Sequence, residues 1–353
     1  MIELIVNENA KTGRKQSAAE LVQGLLDKEG VPYHLHITGK KGDARRLARE
    51  LSMAEGEKTI WVVGGDGTLN EAVNGLTINS SLTFGVIPSG SGNDYVRGIG
   101  YPKKTEECVR ALLKAEAERK RKGYDVGRID LLDGVRLEKP DTESEKKELP
   151  EGIYISGVTA GMGFDESFVA HTDPGVSVRF AGSSGAGYDA RVCYEVNHSR
   201  LKKVLNRLHV GKLVYYMIAL RQVFRNPRTG MTILLDGVSR TYTDVIFACF
   251  MMTPFEGGGL KMVPSADPTD GKVSVCLAYG LSPWKVLLYL PLLMSGRHVK
   301  KKNVDCFTVK TVEVYAGKPQ YIHTDGEVEY KSSHFIISCE ENQVSMYDVQ
   351  QSK

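Results

Sequence analysis

Short apolar runs alternate with longer stretches of helical spacing through the first third of the chain. Ile2–Val6, Tyr33–Ile37, Thr59–Val63 and Leu82–Ile87 read as buried strands. Between and after them, Ser17–Lys28 (apolar Leu21, Leu25 and Leu26, closed by Gly30), Ala44–Leu51, a segment opening at Thr68, and Thr105–Arg121 read as helices. Strand–helix alternation predicts a parallel, doubly wound α/β sheet. Near Tyr124 the pattern changes to strands and turns: YDVGRIDLLDG, VRFAGSSGAGYDA, MTILLDG, DVIFACFMM, KVSVCLAY and TVEVYA. That pattern predicts an all-β antiparallel, sandwich-like second domain. The expected division is 1–123 for the α/β domain, 124–330 for the β-rich domain, and 331–353 for C-terminal strands returning to the first.

Two of the loops interrupt this pattern with chemistry. Gly64-Gly65-Asp66-Gly67 follows the Thr59–Val63 run, and Thr68 and Glu71 stand in the spacing of a capping box, which predicts a helix opening at Thr68. The glycines allow positive φ and remove Cβ atoms, so a ligand can approach the main chain. The helix N-terminus adds free N–H groups that suit a phosphate. No Gly-Lys-Ser/Thr follows, which excludes a P-loop, and Asp66 repels a phosphate unless it binds a hydroxyl or acts through Mg²⁺. Taken alone, the loop reads equally well as an ordinary strand-to-helix turn. A second Gly-rich loop, Pro88-Ser-Gly-Ser-Gly-Asn-Asp94, follows Leu82–Ile87. Two such loops at the carboxyl ends of strands lie where open α/β sheets bind ligands.

Together, GGDGTLNE and PSGSGND resemble the catalytic domain of the diacylglycerol kinase family, which includes bacterial lipid kinases and sphingosine and ceramide kinases and is distantly related to NAD kinases and phosphofructokinases. The resemblance implies an NAD kinase/phosphofructokinase-like fold, ATP as phosphate donor, and Mg²⁺. It places the nucleotide on Asn7, Thr38, Gly64, Gly65, Asp66, Gly67, Thr68, Asn70, Glu71, Ser91, Asn93 and Asp94. The first loop departs from the family's Asn-Pro-x-Ser-Gly, because Glu8 replaces proline and the stretch from Asn7 to Gly13 is longer. Arg14 and Lys15 follow, where they can meet phosphate charge.

Thr253–Val275 (TPFEGGGLKMVPSADPTDGKVSV) resembles the family's segment for a structural Mg²⁺. Asp270 is the matching carboxylate, with Asp267 and Lys272 where the family supplies a further oxygen. Pro-Thr-Asp-Gly is also good turn chemistry in any protein. Tyr321–Glu329 (YIHTDGEVE) reads as a hairpin around Asp-Gly. The resemblance makes Asp325 the general base toward the acceptor hydroxyl, with Glu327 supporting it or a metal. His323 beside them reads as structural.

The implied activity is ATP-dependent phosphorylation of a lipid hydroxyl, with diacylglycerol first. A sphingoid base, ceramide, phosphatidylglycerol or NAD as acceptor is the alternative, and a non-catalytic nucleotide-binding regulator is a different class. The presence of Asp325 and Glu327 argues against the regulator.

Composition narrows the partners. Among 353 residues, 46 Lys and Arg face 43 Asp and Glu, too even a balance to steer nucleic acid. Six cysteines without C-x-x-C pairs point to reduced thiols and a cytoplasmic setting, and the N-terminus lacks a signal-peptide layout. The most apolar run, Val286–Met294, is shorter than the roughly 20 residues a transmembrane helix needs. Ser282–Val299, with Trp284 and basic residues behind it, reads first as a buried core helix and second as a segment lying on an anionic membrane. The lipid substrate places the protein at the membrane periphery, and a homodimer is left open. Glu138–Glu151 is charged and reads as a loop. Gly161–Asp165 and Gly185–Asp189 are near copies, the second followed by an expected helix over Leu201–Leu208. About 40 residues before the second copy, around 135–176, read as an insertion.

Overall fold

The computed structural model describes residues 1–7, 17–77, 82–90, 92–138, 169–172, 175–199, 211–225 and 227–349. Its first part runs β1 (Ile2–Asn7), α1 (Ala18–Lys28), β2 (Tyr33–Thr38), α2 (Asp43–Met53), β3 (Lys58–Gly64), α3 (Asp66–Gly75), β4 (Leu82–Pro88), α4 (Asp94–Gly98) and α5 (Thr105–Ala117). The strands pair in parallel in the order β2-β1-β3-β4, with Asn7 opposite Thr38 and Gly64 opposite Pro88. Helix α1 packs on α5, and α2 packs on α3. The inner strands β1, β3 and β4 are largely apolar because both faces are covered: Leu4, Ile5, Trp61, Val62, Phe84 and Ile87 are fully buried, whereas edge strand β2 leaves His34, Leu35 and Ile37 exposed. The register brings the ends of β1, β3 and β4 together, so the loops that follow β3 and β4 share one edge.

The second part runs β5 (Arg121–Leu131), β6 (Val135–Glu138), β7 (Val169–Thr172), β8 (Val176–Phe180), β9 (Ser183–Gly187), α6 (Tyr188–His198), α7 (Gly211–Arg225), β10 (Thr229–Leu235), β11 (Val238–Met251), β12 (Phe255–Glu256), β13 (Leu260–Lys261), β14 (Val273–Tyr279), α8 (Pro283–Ser295), a 3₁₀ turn at Arg297–Lys300, β15 (Val304–Val309), β16 (Thr311–Thr324) and β17 (Glu327–Tyr347). An antiparallel ladder β15-β14-β11-β10-β16-β17 carries this half, and β9 pairs with both β11 and β16. Ser183-Ser-Gly-Ala-Gly187 is wholly buried, and its small residues leave room for the side chains packed over this strand. A Cβ on Gly185 would stand 1.9 Å from the Asp189 carboxylate and 2.6 Å from His323. Phe250 and Phe335 meet edge to face at 6.0 Å in the core of this half.

The long strand β17 joins the halves. Its start pairs with β16, its middle and end with β5, and Ser345–Met346 lie parallel to β4. Tyr347 then packs against Trp61, with ring centroids 6.2 Å apart at 88°, and Trp61 Nε1 donates to its hydroxyl at 3.3 Å. The last residues therefore complete the core of the α/β half, where Val344, Met346 and Val349 are also buried.

Several expectations change. Helix α3 begins at Asp66, not Thr68, and Gly65 is its N-cap without a side-chain bond. Thr68 and Glu71 form no capping box, because both lie inside the helix. The α5 helix ends at Ala117 rather than Arg121, where Arg119 turns the chain at φ 51°. Ser282–Val299 is not a buried core helix: Trp284, Leu288 and Met294 stand in solvent. Among the described residues no helix is long and apolar enough to cross a membrane. Gly13, Arg14, Lys15, Ser91, residues 139–151, Gly161–Asp165 and the helix expected over Leu201–Leu208 lie outside the described residues.

Candidate active site

The two Gly-rich loops interlock. Ser89 N–H donates to Gly64 O at 3.0 Å, and a Cβ on Gly90 would stand 2.6 Å from Gly65 Cα. A Cβ on Gly64 would meet Thr68 at 2.6 Å, and one on Gly92 would meet the Asp66 carboxylate at 2.7 Å. Gly65 is extended at φ −100°, and none of Gly64, Gly65 and Gly67 has positive φ. Gly64 and Gly65 therefore serve close approach, not a left-handed turn. The left-handed position falls on Asn93, at φ 52°, whose amide bonds Gly90 N and O at 3.2 and 2.8 Å and so shapes the second loop.

Asp66 and Asp94 face this junction. Tyr95 N–H donates to Asp66 at 3.4 Å. Asp94 accepts from Arg97 Nη1 at 2.6 Å and from Gly258 N at 2.6 Å, the second contact coming from the β-rich half. Burial raises the Asp66 carboxyl above its usual range, and the nearby Asp325 charge adds to this. Burial, then the Asp66 charge, pushes Asp94 up to about 6. Two desolvated carboxylates at one junction are the hard oxygen donors that Mg²⁺ takes, and a cation there would relieve their repulsion.

Asp325 reaches the same place from the other half. Thr324 pairs with Glu327, and Asp325 and Gly326 have φ of 50° and 85°, the left-handed pair of a type I′ hairpin. The tight turn throws the Asp325 carboxylate onto the chain before and at the start of β9. Gly182 and Ser183 N–H donate to one oxygen at 2.8 and 2.9 Å, and Ala181 N–H and Asn70 Nδ2 donate to the other, each at 2.9 Å. Gly182 fits closely here, since a Cβ would come within 3.2 Å of that carboxylate.

A cleft of about 250 Å³ opens between these groups. Asp66, Leu69, Gly92, Asp94 and Tyr95 line it from the α/β half, and Gly182, Ser183, Asp325 and Gly326 from the β-rich half. It also takes Cys193, Asn197, Tyr215 and Glu256–Gly258, which sequence reasoning did not assign. The signal for the last was Gly257-Gly258-Gly259, all at positive φ. Glu256 is held by fully buried His323, whose Nε2 lies 3.0 Å from its carboxylate and 3.3 Å from Asp189. Gly326 N–H donates to His323 Nδ1, which puts the ring proton on Nε2.

The remaining residues expected at the nucleotide divide. Asn7 Nδ2 donates to Thr68 Oγ1 at 2.8 Å, and Thr38 bonds Val6 O at 3.3 Å beside it, so these three lie together at the strand ends. Gly67 sits in the first turn of α3, where a Cβ would come 3.5 Å from Glu327. Asn70 is committed to Asp325, while Glu71 turns to α2 and accepts from Ala44 N at 3.2 Å. Glu327 and Glu329 both hold Lys41, at 3.0 and 2.9 Å. Burial would lower the Lys41 ammonium, but these two charges outweigh it and raise it to about 12.

Asp267 and Asp270 lie apart from the cleft. Asp267 caps its own turn through Thr269 N at 3.0 Å, and Asp270 accepts from Lys272 N at 3.0 Å. Buried Asp125 ties the loop down, accepting from Gly271 N and Asn342 N at 2.8 Å each. Burial, followed by the charges of Asp267 and Asp125, raises the Asp270 carboxyl. These hard oxygens and their mutual repulsion suit a divalent cation, toward which the Lys272 ammonium, having no acceptor, can supply no ligand.

The same division appears in comparisons with known proteins. Residues 1–128 match the diacylglycerol kinase catalytic domain, and residues 182–338 match the YegS C-terminal NAD kinase beta sandwich-like domain. A diacylglycerol kinase of Mycobacterium tuberculosis is 25% identical over 313 residues, covering 89% of this chain and 84% of that protein. A crystal structure of a diacylglycerol kinase from Bacillus anthracis superposes with a TM-score of 0.59 at 16% identity, over 98% of this chain and 96% of the other. An NAD kinase from Archaeoglobus fulgidus, solved in complex with ATP, gives a TM-score of 0.50 at 12% identity, over 99% and 94%. With both of its halves matched in order, the chain belongs to the diacylglycerol kinase family of lipid kinases.

Proposed function

We propose that this protein transfers the γ-phosphoryl group of ATP to the free hydroxyl of diacylglycerol. The observation that carries this reading is the meeting of Asp66 and Asp94 from one half with Asp325 from the other in a single cleft. The interlocked loops, with Asn7, Thr38 and Thr68 beside them, hold the nucleotide phosphates by backbone amides and hydroxyls; the loop matches no lysine of the P-loop kind. Asp66 and Asp94 would hold Mg²⁺, which neutralises phosphate charge when bound. The acceptor oxygen attacks the γ-phosphorus, the bond to the ADP oxygen breaks, and the hydroxyl proton passes to Asp325. Of the four donors on Asp325, the Asn70 amide is the side chain, and it is the one that gives way when a substrate hydroxyl arrives. Glu327, tied to Lys41, keeps the hairpin over the first turn of α3.

Asp267, Asp270 and the Lys272 carbonyl would hold a second, structural Mg²⁺ that stiffens the turn before β14. The test of the function is label transfer from γ-labelled ATP across diacylglycerol, sphingosine, ceramide, phosphatidylglycerol and NAD. Label in phosphatidic acid is expected, and label in NADP alone would overturn the reading.

A further inference from the structure

Two helices beside the cleft leave an apolar face uncovered. On α8, Val286, Tyr289, Leu290 and Leu293 pack inward, while Trp284 and Leu288 on the other side are 73% and 70% exposed. On α7, Leu220 and Phe224 are half-exposed, with Met217 one turn earlier. The i, i+4 spacing in each helix keeps its stripe on one face. Phe224 meets Trp284 edge to face at 5.5 Å, so the two stripes join. A joined apolar patch of this kind on a protein surface marks an interaction site.

The two helices and the turn after α8 carry charge of one sign, and the Glu195 that meets α7 from α6 is taken up by Gln222 and Arg221. No Asp or Glu occurs from Ser282 to Lys302, a stretch that holds exposed Lys285, Arg297, Lys300, Lys301 and Lys302. The α7 segment has no acidic residue either and ends at exposed Arg225. A second copy of the chain would set positive rim against positive rim. Anionic lipid headgroups complement it, with the apolar side chains beneath them. Helix α7 also supplies Tyr215 to the cleft lining, so patch and cleft share one element.

We propose that the α7–α8 face is a membrane-docking surface. Leu220, Phe224, Trp284 and Leu288 enter the headgroup–acyl boundary of an anionic bilayer, and Lys300–Lys302 meet the headgroups. The Tyr215 side of the cleft then faces the bilayer, from which the acceptor enters. Only this last point rests on the lipid kinase reading; the docking itself does not.

The chain offers its own probe, because it has two tryptophans, Trp61 fully buried and Trp284 exposed. Vesicles of mixed phosphatidylglycerol and phosphatidylcholine should shift Trp284 emission to the blue, and brominated acyl chains should quench it. Trp284→Phe should keep sedimenting with vesicles while losing that signal. The double variant Leu220→Ser/Leu288→Ser should bind at least about tenfold more weakly, since each side chain loses its burial in the bilayer. Lys300→Ser/Lys301→Ser/Lys302→Ser should weaken binding to anionic vesicles about a hundredfold and reduce its salt dependence, at roughly fivefold per basic residue. Both variants should still phosphorylate a short-chain, water-soluble diacylglycerol as the wild type does. Trp284 left unquenched at high vesicle concentration, or buried in a dimer that ignores vesicles, would overturn the proposal. Quenching without phosphorylation of any lipid would leave the docking standing and bring down the kinase reading.

Discussion

Replacing Asp325 by Asn tests the base and the turn that holds it. In the wild type all four acceptor positions of the carboxylate are filled, three by backbone N–H groups and one by Asn70. An asparagine keeps one oxygen, which can stay on Gly182 and Ser183. Its amide nitrogen then faces Ala181 N–H and the Asn70 amide, both donors. Asn70 can flip to accept from it, giving up its 3.4 Å contact with Arg179 O, but Ala181 N–H stays unpaired. One bond to a charged acceptor is lost and two are weakened, a cost of about 2–4 kcal/mol. In a chain of this length that lowers Tm by a few degrees, so the variant is folded at 25 °C. Loss of a general base slows transfer by about 10²–10⁴-fold. Calorimetry should give near wild-type ATP affinity, and turnover with diacylglycerol in mixed micelles should fall by that factor. The control is Asn70→Ala, which removes one donor, leaves the base, and should lose far less activity. Turnover by folded Asp325→Asn within a fewfold of wild type would refute the assignment.

Three further outcomes follow from the geometry. Gly90→Ala forces a Cβ to 2.6 Å from Gly65 Cα, so the loops part by roughly 1 Å at a cost of about 1–3 kcal/mol, and ATP binding measured by calorimetry should weaken more than stability does. Asp270→Ala should lower Tm and reduce the rise in Tm on adding Mg²⁺, whereas an unchanged rise would leave the segment a plain turn. Burial opposes ionisation of Asp133, but hydrogen bonds from Ser332, Ser333 and His334 hold its carboxyl below the ordinary 3.8. The stability it contributes is therefore present above that value and lost as pH falls through the lower folded value. The Tm difference between wild type and Asp133→Asn should shrink below about pH 4.

The α/β half was legible because its inner strands are apolar on both faces and its loops carry strong punctuation; β1 to β4 stand within a residue or two of their expected places. The Asp325 hairpin was equally legible, since Asp-Gly between alternating residues has one common solution, a turn with two positive φ values. The start of α3 was misread because Thr68 and Glu71 match a capping box by spacing alone. What decides the helix start is the approach of Gly90 to Gly65, a contact between segments far apart in sequence that no local pattern encodes. The Glu256–His323–Asp189 group escaped for the same reason, as its members come from β12, β16 and α6. On α8 the run of leucines suggested burial all round, yet the sheet covers only one side of the helix.

On this reading one cleft brings the γ-phosphate and the lipid hydroxyl together, so that the phosphoryl group passes directly between them. The stereochemistry at phosphorus measures this. With ATP made chiral at the γ-phosphate by oxygen isotopes and sulfur, a single in-line displacement must give inverted configuration in the lipid product, and inversion is the predicted result. Retention would mean two displacements through a phosphorylated residue of the protein, and would contradict the account.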